Sequence, residues 1–509
     1  MKLVHNSLRF RQNVKLASAR FNVDLSVVSF LVVLILSSPS AFAQQAGSVE
    51  LDLKTKGADQ VAAPVFAGIP FPAGRLFDSE QIKVFSDGVE LSRQVQVLSK
   101  YRDGSLRVLL LGLRVTSQSG EKKRLTIAYN QGQGVQIDPP IDWQFNQSII
   151  LSLPSAWYSQ SDVFGPLLPL AENTIFLDFD WRMIGMFKRT SKQPDANPDN
   201  RNFYDHAHAL YGVFLRKGNA SAYKLAHQEV LQYRENEIIH SGKFKGQYSA
   251  GSSRNNAQPI PISILRRMYI EGLIEHYYLT GDPRSFEVAR EIADAFVDDV
   301  YRDQKRFVRT ERNPSFPLIG LVVFYEATLE QKYLDAAKLI VDTVLDHQAQ
   351  MAIKYPERAG AFVQDPWFDT AETTLVGASP WMTTLLCDGL IKYYRVTGDE
   401  RVKQSVIMAT DWLVNVAYVP VDKSYYYAEG DPRLGTTPDL NPMMLEMLGL
   451  AWQATGDSRY RDQALEILSV NAWGSRIKSF NQAMRSSGRG LKCLQEPPGT
   501  VRLKRADTN

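Results

Sequence analysis

The apolar positions of residues 261–296 follow a helical period, stop at a turn and then resume. In the first half they recur at the spacing of one buried helical face, at Leu265, Tyr269, Gly272, Leu273 and His276. Gly281 is expected to end this helix, and Asp282 to cap the next one, with Pro283 at its first position. The stretch therefore predicts a helical hairpin closed by a short Thr-Gly-Asp turn.

The same layout recurs along the chain. A second clear copy lies at residues 388–399, and weaker copies lie at 209–222, 320–333 and 447–460. Helical-pair repeats bury their apolar faces by stacking on neighbouring pairs. We therefore predict an α/α toroid over residues 205–484, either an (α/α)6 ring or an incomplete one. A disordered basic tail is expected over residues 485–509.

Residues 48–150 have a different pattern. Short runs rich in branched and aromatic residues alternate with turn signals, at 49–53, 81–85, 94–98, 106–113 and 124–129. Regularly spaced short strands predict a β-barrel or sandwich. Residues 151–204 are predicted to connect this domain to the helices. They are expected to contain one further strand at 174–182, where Asp178 and Asp180 alternate beside Trp181.

Residues 1–43 combine a basic segment, an apolar core at 27–36 and an Ala41-Phe42-Ala43 site. This order is typical of a secretory signal peptide. Cleavage after Ala43 would give a periplasmic or secreted protein without a stable membrane span. An N-terminal membrane anchor is the alternative interpretation, although the apolar run is short for a span.

The net charge of the chain is set largely by this leader. The 509 residues carry a formal charge of +3, but residues 1–43 hold five basic side chains and one acidic one, so the remainder is at −1. Nucleic acid is therefore disfavoured as a partner. Cys387 and Cys493 permit a disulfide without implying one. No zinc spacing, Walker loop, dinucleotide fingerprint or Gly-x-Ser-x-Gly motif is present, so no cofactor is predicted.

Four motifs in the β-rich region resemble those of a known family. They are residues 66–76 (FAGIPFPAGRL), 84–91 (VFSDGVEL), the pair Gln94 and Gln96, and 101–107 (YRDGSLR). They are similar to the N-terminal RIFT-type barrel of exo-rhamnogalacturonan lyase-like proteins. The resemblance implies a helical toroid after the barrel. It also implies a further β-domain after the toroid, where this sequence has the basic segment 485–509.

Loop length distinguishes the two ends of the predicted ring. The Thr-Gly-Asp-type turns are short, whereas the return connections at 234–261, 299–317, 350–380 and 416–442 are long. In an antiparallel helix-pair ring the long connections share one end, and long loops carry function more often than short turns. These loops are rich in arginine, which binds carboxylates through paired N–H groups, and in aromatic residues, which stack on sugar rings. We therefore expect the functional cleft at the long-loop end.

A uronate lyase must neutralise the substrate carboxylate, remove the C5 proton and protonate the leaving oxygen. Arg309 and Arg312 are the predicted neutralisers, and His240 and Tyr248 the predicted base and acid. The full predicted catalytic set is His240, Tyr248, Lys243, His208, Arg309 and Glu311. The predicted substrate-binding set is Arg312, Asp365, Trp367, Asp369, Trp381 and Tyr426. A packed or solvated structural role is the competing interpretation for each.

The sequence thus predicts a secreted carbohydrate-active enzyme that cleaves an acidic polysaccharide by β-elimination. One alternative is a glycoside hydrolase on the same toroid, which would pair Asp365 or Asp369 with Glu311 or Asp205. Another is a non-catalytic periplasmic protein that binds glycans or takes part in exopolysaccharide processing. Calcium is an expectation for some uronate lyases, but no ligand spacing supports it here.

Overall fold

The computed structural model describes residues 45–191, 202–249, 259–366, 375–470, 474, 476–499 and 501. The predicted signal peptide, Trp367 and Asp369 lie outside these residues. Within them, an N-terminal β-sheet region precedes a helical region, as the change of hydrophobic period predicted. No helix in these ranges combines the length and the apolar character that a membrane span requires.

The strands are β1 (Gly47–Thr55), β2 (Gln60–Pro70), β3 (Ile82–Ser86), β4 (Val89–Leu91), β5 (Arg93–Lys100), β6 (Leu106–Ser117), β7 (Lys122–Tyr129), β8 (Ile149–Ser152), β9 (Tyr418–Val419) and β10 (Ser424–Tyr425). The first eight form two antiparallel sheets, in the orders β4-β3-β7-β1-β8 and β2-β6-β5. Strand β2 was missed from the sequence because two prolines and a glycine interrupt its apolar run. It nevertheless pairs with β6 from Ala63 to Pro70, so that Val65 faces Leu113.

The helices are α1 (Ser155–Ser161), α2 (Leu177–Thr190), α3 (His206–Lys217), α4 (Ala220–Asn236), α5 (Ile262–Leu265), α6 (Glu271–Thr280), α7 (Pro283–Arg302), α8 (Arg312–Thr328), α9 (Gln331–Lys354), α10 (Pro380–Thr397), α11 (Glu400–Trp412), α12 (Leu445–Thr455), α13 (Ser458–Leu468), α14 (Ile477–Met484) and α15 (Ser487–Gln495). From α3 to α13, largely buried inner helices alternate with amphipathic outer ones, apart from the short α5. The segment 261–296 is therefore a hairpin of α6 and α7, preceded by the single turn of α5.

The predicted chemistry of the Thr-Gly-Asp turn is confirmed. Gly281 adopts a left-handed conformation with φ of 79°, and its N–H donates to the Tyr277 carbonyl over 2.8 Å. The Asp282 carboxylate then accepts the Arg284 N–H at 3.0 Å, which caps α7. Gly398 and Asp399 repeat the arrangement between α10 and α11. Glycine avoids the steric cost of the left-handed conformation, and aspartate satisfies an N–H that the helix leaves unpaired.

The sheet region covers the short-turn end of the helices. The Trp143 indole N–H donates to the Thr280 carbonyl at 2.7 Å, and the Ser99 hydroxyl donates to the Ala327 carbonyl at 3.2 Å. The backbone at Gly68 lies so close to Tyr278 that a Cβ added there would stand 1.5 Å from its carbonyl oxygen. The turns that follow α6 and α8 are therefore packed against the sheet region, and the long loops lie at the opposite end of these helices.

Helices α14 and α15 correct the prediction of a disordered tail from residue 485. They pack between α12 and α3, so that the first and last inner helices are joined through them. Arg485 and Arg489 are 2% and 4% exposed because carboxylates of α6, α10 and α12 bind them. A basic, glycine-containing sequence suggested solvation, but these arginines are counter-ions at the centre of the ring.

The predicted strand at 174–182 is also wrong, because this segment begins helix α2. Asp180 is buried and pairs with Arg216 at 2.7 Å, whereas Trp181 is 78% exposed. The alternation of Asp178 and Asp180 suggested a period of two. The buried Phe179, Met183 and Met186 show instead the period of a helix.

Candidate functional site

A pocket of about 420 Å³ opens at the long-loop end of the helices. We call it the loop-end pocket. It is formed by the starts of α8 and α10, the 427–440 loop and the region of α14. The residues that line it are Arg312, Trp381, Tyr427, Thr437, Asp439, Leu440, Gly474, Arg476, Lys478, Ser479 and Gln482. Its volume is within the usual range for small-molecule sites. Arg312 and Trp381, both predicted from sequence as substrate-binding residues, are thus brought together.

One wall of the loop-end pocket is aromatic and cationic. The Arg312 guanidinium carbon lies 5.0 Å from the centre of the Trp381 ring, and the Tyr427 ring lies 5.7 Å from that of Trp381. Trp381 is 3% exposed, and its indole N–H has no hydrogen-bond partner among the described residues. Tyr427 and Arg312 are half-buried, so the wall can offer an aromatic edge or face and a planar cation, with Trp381 packed behind them.

A second wall carries Lys478. Its amine nitrogen lies 5.3 Å from the centre of the Phe203 ring and 6.0 Å from that of Tyr204. Burial lowers the pKa of Lys478, and the positive charges of Arg312 and Arg266 add to this effect. Burial also raises the pKa of Asp439, the carboxyl group of this pocket. Both groups are thus shifted toward their neutral forms.

The turn below Lys478 is strained and firmly held. Tyr204 and Asp205 have φ of 71° and 63°, values that side chains other than glycine rarely adopt. The Tyr204 N–H donates to the Tyr269 hydroxyl at 3.0 Å, and the Asp205 carboxylate accepts the Gly272 N–H at 3.0 Å. Burial raises the pKa of Tyr204 to about 12, against the opposing charge of Arg312. Strain retained beside a pocket is a common feature of functional sites.

Among the described residues that line the loop-end pocket, basic side chains outnumber acidic ones. Arg312, Arg476 and Lys478 line it, and Asp439 is the one carboxylate among the described residues of its lining. A cleft whose cations outnumber its anions attracts negative ligands, and low-dielectric walls strengthen that attraction. The site is therefore suited to a ligand that combines an anionic group with an apolar ring face.

Glu311 lies immediately behind this pocket and does not line it. Its carboxylate accepts the Ser379 N–H at 3.0 Å and a further hydrogen bond from Gln364. Burial raises the pKa of Glu311 to about 8, despite the opposing effect of the Ser379 hydrogen bond. Glu311 thus joins the starts of α8 and α10, the two helices that position Arg312 and Trp381.

His240, Lys243 and Tyr248, predicted as base and acid, do not line the loop-end pocket. His240 binds Glu291 at 2.7 Å, and Lys243 lines a separate groove along the outer helix α7. Tyr248 is 4% exposed, with the Arg267 guanidinium carbon 5.7 Å from its ring centre. His240 and Lys243 thus lie beside the outer helix α7, whereas Tyr248 packs against Arg267. The catalytic roles predicted for these three residues stay predictions.

His208 lies in the interior of the ring, in a chamber of about 60 Å³ that we call the axial chamber. Its imidazole binds Glu275 at 2.8 Å and the Arg485 carbonyl at 2.8 Å. Burial acts to lower the pKa of His208, but Glu271 and Glu275 raise it to about 9. His208 is therefore a buried cation among carboxylates, away from the loop-end pocket.

The remaining predicted residues lie outside the pocket lining. Arg309 is exposed at the end of a 3-10 turn. Asp365 accepts hydrogen bonds from Lys354 and Tyr355, and the first of these interactions contributes most to lowering its pKa. Tyr426 pairs with Thr436 in a bridge, and its neighbour Tyr427 lines the pocket instead. The alternative carboxylate Asp205 caps α3.

Sequence reasoning missed Tyr427, Asp439, Arg476 and Lys478 as site residues. Tyr427 and Asp439 belong to a long loop that was identified, and only the choice of residue within it was wrong. Arg476 and Lys478 stand at the start of α14, near the end of the predicted toroid, where no site residue was predicted. The available signal was the amphipathic run 477–484, whose apolar face predicts a packed helix.

The described ranges hold no group of three or more His, Cys, Asp or Glu side chains arranged to bind a metal ion. Cys387 is buried and Cys493 is half-buried, and both are free thiols. The calcium expectation stays a prediction.

Part of the helical region matches a family model described as β-L-arabinofuranosidase, GH127 catalytic domain, over residues 264–362. This segment contains Glu311 and Arg312. Among curated proteins, none matches the chain by sequence.

Three solved structures are similar to this chain at low identity. A polysaccharide lyase is 10% identical, with 63% of this chain and 96% of the lyase covered, at a TM-score of 0.47. Ara127N-Se, a GH127 β-L-arabinofuranosidase from Geobacillus Stearothermophilus T6, is 13% identical; 59% of this chain and 53% of that chain are covered, at a TM-score of 0.36. The chain thus spans about half the length of that enzyme. A family 76 glycoside hydrolase from a bovine Bacteroides thetaiotaomicron strain is 11% identical. The match covers 84% of this chain and 76% of that chain, at a TM-score of 0.27.

Proposed function

We propose that this chain is a carbohydrate-active enzyme that binds an acidic polysaccharide in the loop-end pocket and cleaves it by β-elimination. The observation that carries the proposal is the excess of cations around an aromatic wall, with Arg312, Arg476 and Lys478 facing a single described carboxylate. The family match over residues 264–362, to a sugar-cleaving domain, supports the broader class. A secreted or periplasmic location follows from the proposed signal peptide.

In this proposal Arg312 and Arg476 neutralise the carboxylate of a uronate residue. Neutralisation lowers the cost of removing the C5 proton, because charge develops on the carboxylate as that proton leaves. The Tyr427 ring, with Trp381 packed behind it, would hold the apolar face of the sugar. More specifically, the β-region motifs resemble those of exo-rhamnogalacturonan lyase-like proteins, which makes uronate-containing pectic chains the first glycans to test.

A glycoside hydrolase is the second candidate. It is favoured by the GH127 match and by Glu311, because a carboxyl group with a pKa raised to about 8 keeps its proton near neutral pH, as a general acid must. A hydrolase also requires a second carboxylate roughly 5 to 10 Å away on the substrate. Glu311 would have to reach the substrate from behind the pocket wall. A non-catalytic glycan-binding protein is the third candidate.

Incubation of the purified full-length protein with a panel of uronate-containing glycans tests the three candidates together. Ultraviolet absorbance from an unsaturated uronate, accompanied by new reducing ends, is the expected result. New reducing ends without that absorbance would overturn β-elimination in favour of hydrolysis. Binding without either signal would favour the glycan-binding protein. Matched neutral glycans provide the control for the acidic substrate class.

A further inference from the structure

The loop-end pocket holds few groups able to accept a proton. In β-elimination the departing hydrogen is on the carbon that bears the carboxylate, so the base must lie in the same pocket as the cation that binds this carboxylate. Guanidinium groups do not act as bases at ordinary pH. Among the described lining residues this leaves Lys478, Asp439 and Tyr427.

Lys478 and Asp439 approach the pocket from neighbouring elements. Lys478 is the second residue of α14, and Asp439 belongs to the turn Pro438–Met444, against which α14 packs. The rings of Phe203 and Tyr204 lie below the Lys478 amine. A helix and a packed turn hold both groups at the rim of one cavity.

The charges around Lys478 favour its neutral amine. Arg312 acts on it from α8, Arg266 from the residue after α5, and Arg476 from its own segment, while Asp439 opposes them from within the described lining. Repulsion from neighbouring cations and partial burial are the two means by which proteins convert a lysine into a base. Burial has the complementary effect on Asp439, whose protonated form it favours.

We propose that Lys478 removes the C5 proton of the bound uronate and that Asp439 protonates the leaving oxygen. This assignment rests on the proposed function. It names catalytic residues at that site that differ from the sequence-predicted His240, Tyr248 and Lys243.

The step balances as a proton transfer with elimination. The neutral Lys478 amine takes the C5 proton and becomes an ammonium. The electron pair of the C5–H bond forms the C4–C5 double bond, the C4–O bond breaks, and the departing oxygen takes the proton of the Asp439 carboxyl group. Proton transfer from the ammonium to the carboxylate then restores both groups. No oxidant, reductant or co-reactant is needed.

Amine labelling tests the state of Lys478 without depending on activity. The full-length protein is treated with limiting acetic anhydride at a series of pH values, and modification at each lysine is quantified by mass spectrometry. The labelling of Lys478 is expected to rise at a lower pH than that of exposed Lys188, and an acidic oligosaccharide should protect it. Superimposed profiles for the two lysines would overturn the proposal.

Substitutions test the catalytic role. Lys478→Arg keeps a long basic side chain, but its guanidinium supplies no base, so we expect kcat to fall about 100-fold or more with KM changed by less than about threefold. Asp439→Asn should lower kcat and remove the alkaline limb of the pH profile. Tyr427→Phe keeps the ring and removes only the hydroxyl, so its fall in kcat should be smaller than that of Lys478→Arg. An unchanged thermal unfolding midpoint shows that each variant is folded.

These experiments distinguish a wrong assignment of the base from a wrong proposal of β-elimination. An active wild-type enzyme with an equally active Lys478→Arg variant would overturn the base assignment alone. A loss in Tyr427→Phe as large as that in Lys478→Arg would move the base to Tyr427. Absence of unsaturated product from every glycan would overturn the proposed function, and the assignment of Lys478 with it.

Discussion

The loop-end pocket and the axial chamber contain the same kinds of side chain arranged in opposite ways. In and around the chamber each cation faces a carboxylate: Arg485 contacts Glu271 at 2.7 Å and Asp388 at 2.9 Å, and Arg489 contacts Glu446 at 2.7 Å. In the pocket, three cations share one carboxylate in the described lining. Charge that is balanced within the protein belongs to its framework, whereas a cleft lined mostly by one sign attracts ligands of the opposite sign.

The pKa values reflect this contrast. Burial acts to raise the pKa of Glu271, but His208, Lys392 and Arg485 hold it well below its usual range. Burial likewise acts on Asp388, and Lys392, Arg489 and Arg485 lower its pKa to about 2. Glu271 in the chamber and the nearby Asp388 are thus kept charged, whereas Lys478 and Asp439 in the pocket are shifted toward neutrality. Glu275 is the exception in the chamber, because burial raises its pKa to about 7 despite the opposing charge of His208.

The largest expected effect is a loss of stability after the charge balance near the axial chamber is disrupted. Arg485→Met leaves Asp388 and Glu271 short of a buried counter-ion, so the free energy of unfolding should fall by about 3–5 kcal/mol. Urea denaturation measures it. Arg401→Met provides the control, because Arg401 is 57% exposed where it pairs with Asp342 and Asp399, and the expected loss is about 0–1 kcal/mol. Equal losses in the two variants would show that the central charges are not structural counter-ions.

The second largest expected effect is a loss of activity after substitution of Arg312 in the pocket. Arg312→Lys keeps one positive charge but removes the planar fork that lies against Trp381. We expect kcat/KM on the acidic glycan to fall about 100-fold, or about 2.7 kcal/mol, with little change in the unfolding midpoint. Arg309→Lys, on the exposed turn just before α8, should stay within about twofold of wild type. A similar fall in kcat/KM in both variants would show that the effect is not specific to Arg312 in the pocket.

The third effect is a pH dependence that arises behind the pocket. The pKa of Glu311 is raised in the folded state to about 8, so between the unfolded pKa and this value the folded state binds more protons and its stability falls as pH rises. Glu311→Gln should remove up to about 1.4 kcal/mol per pH unit of that slope between pH 5 and 8. Denaturation midpoints at several pH values measure it.

Asp365→Asn is the matched control for the Glu311 experiment. The pKa of Asp365 is lowered, chiefly by its hydrogen bond from Lys354, so its contribution to stability is present above its unfolded pKa and is lost only in more acidic solution. The slope between pH 5 and 8 should therefore not change in this variant. A slope unaltered in Glu311→Gln would show that Glu311 is already charged at pH 5.

The smallest expected effect concerns the outer groove. The double substitution His240→Gln with Lys243→Gln should leave kcat/KM within about twofold of wild type, because His240 binds Glu291 and Lys243 lines a groove on α7. Initial rates on the same glycan measure it. A loss above about tenfold would restore the sequence-based assignment of the base and overturn the one made from the pocket.

The sequence predicted what depends on local chemistry. The turn at Gly281 and Asp282 is encoded in adjacent residues, so the hairpin and its repeats were readable from periodicity alone. Loop length then located the long-loop end, and with it Arg312 and Trp381, because both stand at or next to the first residue of an inner helix. The prediction of a strand at 174–182 was wrong because two aspartates at alternate positions suggested the period of a strand.

What the sequence did not predict depends on distant contacts. Arg485 binds Asp388 from 97 residues away, so a basic segment that looked solvated is buried. Lys478 and Asp439 become neighbours only when α14 packs on the 438–444 turn. His240 belongs to a long loop and was therefore predicted to reach the cleft. Tertiary contacts such as that with Glu291 place it beside the outer helix instead.

The central claim is that the loop-end pocket takes an anionic sugar. It is tested most directly by calorimetric titration of the wild-type protein with a uronate oligosaccharide and with the same oligosaccharide after reduction of its carboxyl groups. The account predicts that the acidic form binds at least about tenfold more tightly, a difference of about 1.4 kcal/mol, and that raised salt weakens this preference. Equal affinity for the two ligands, or tighter binding of the neutral one, would contradict it.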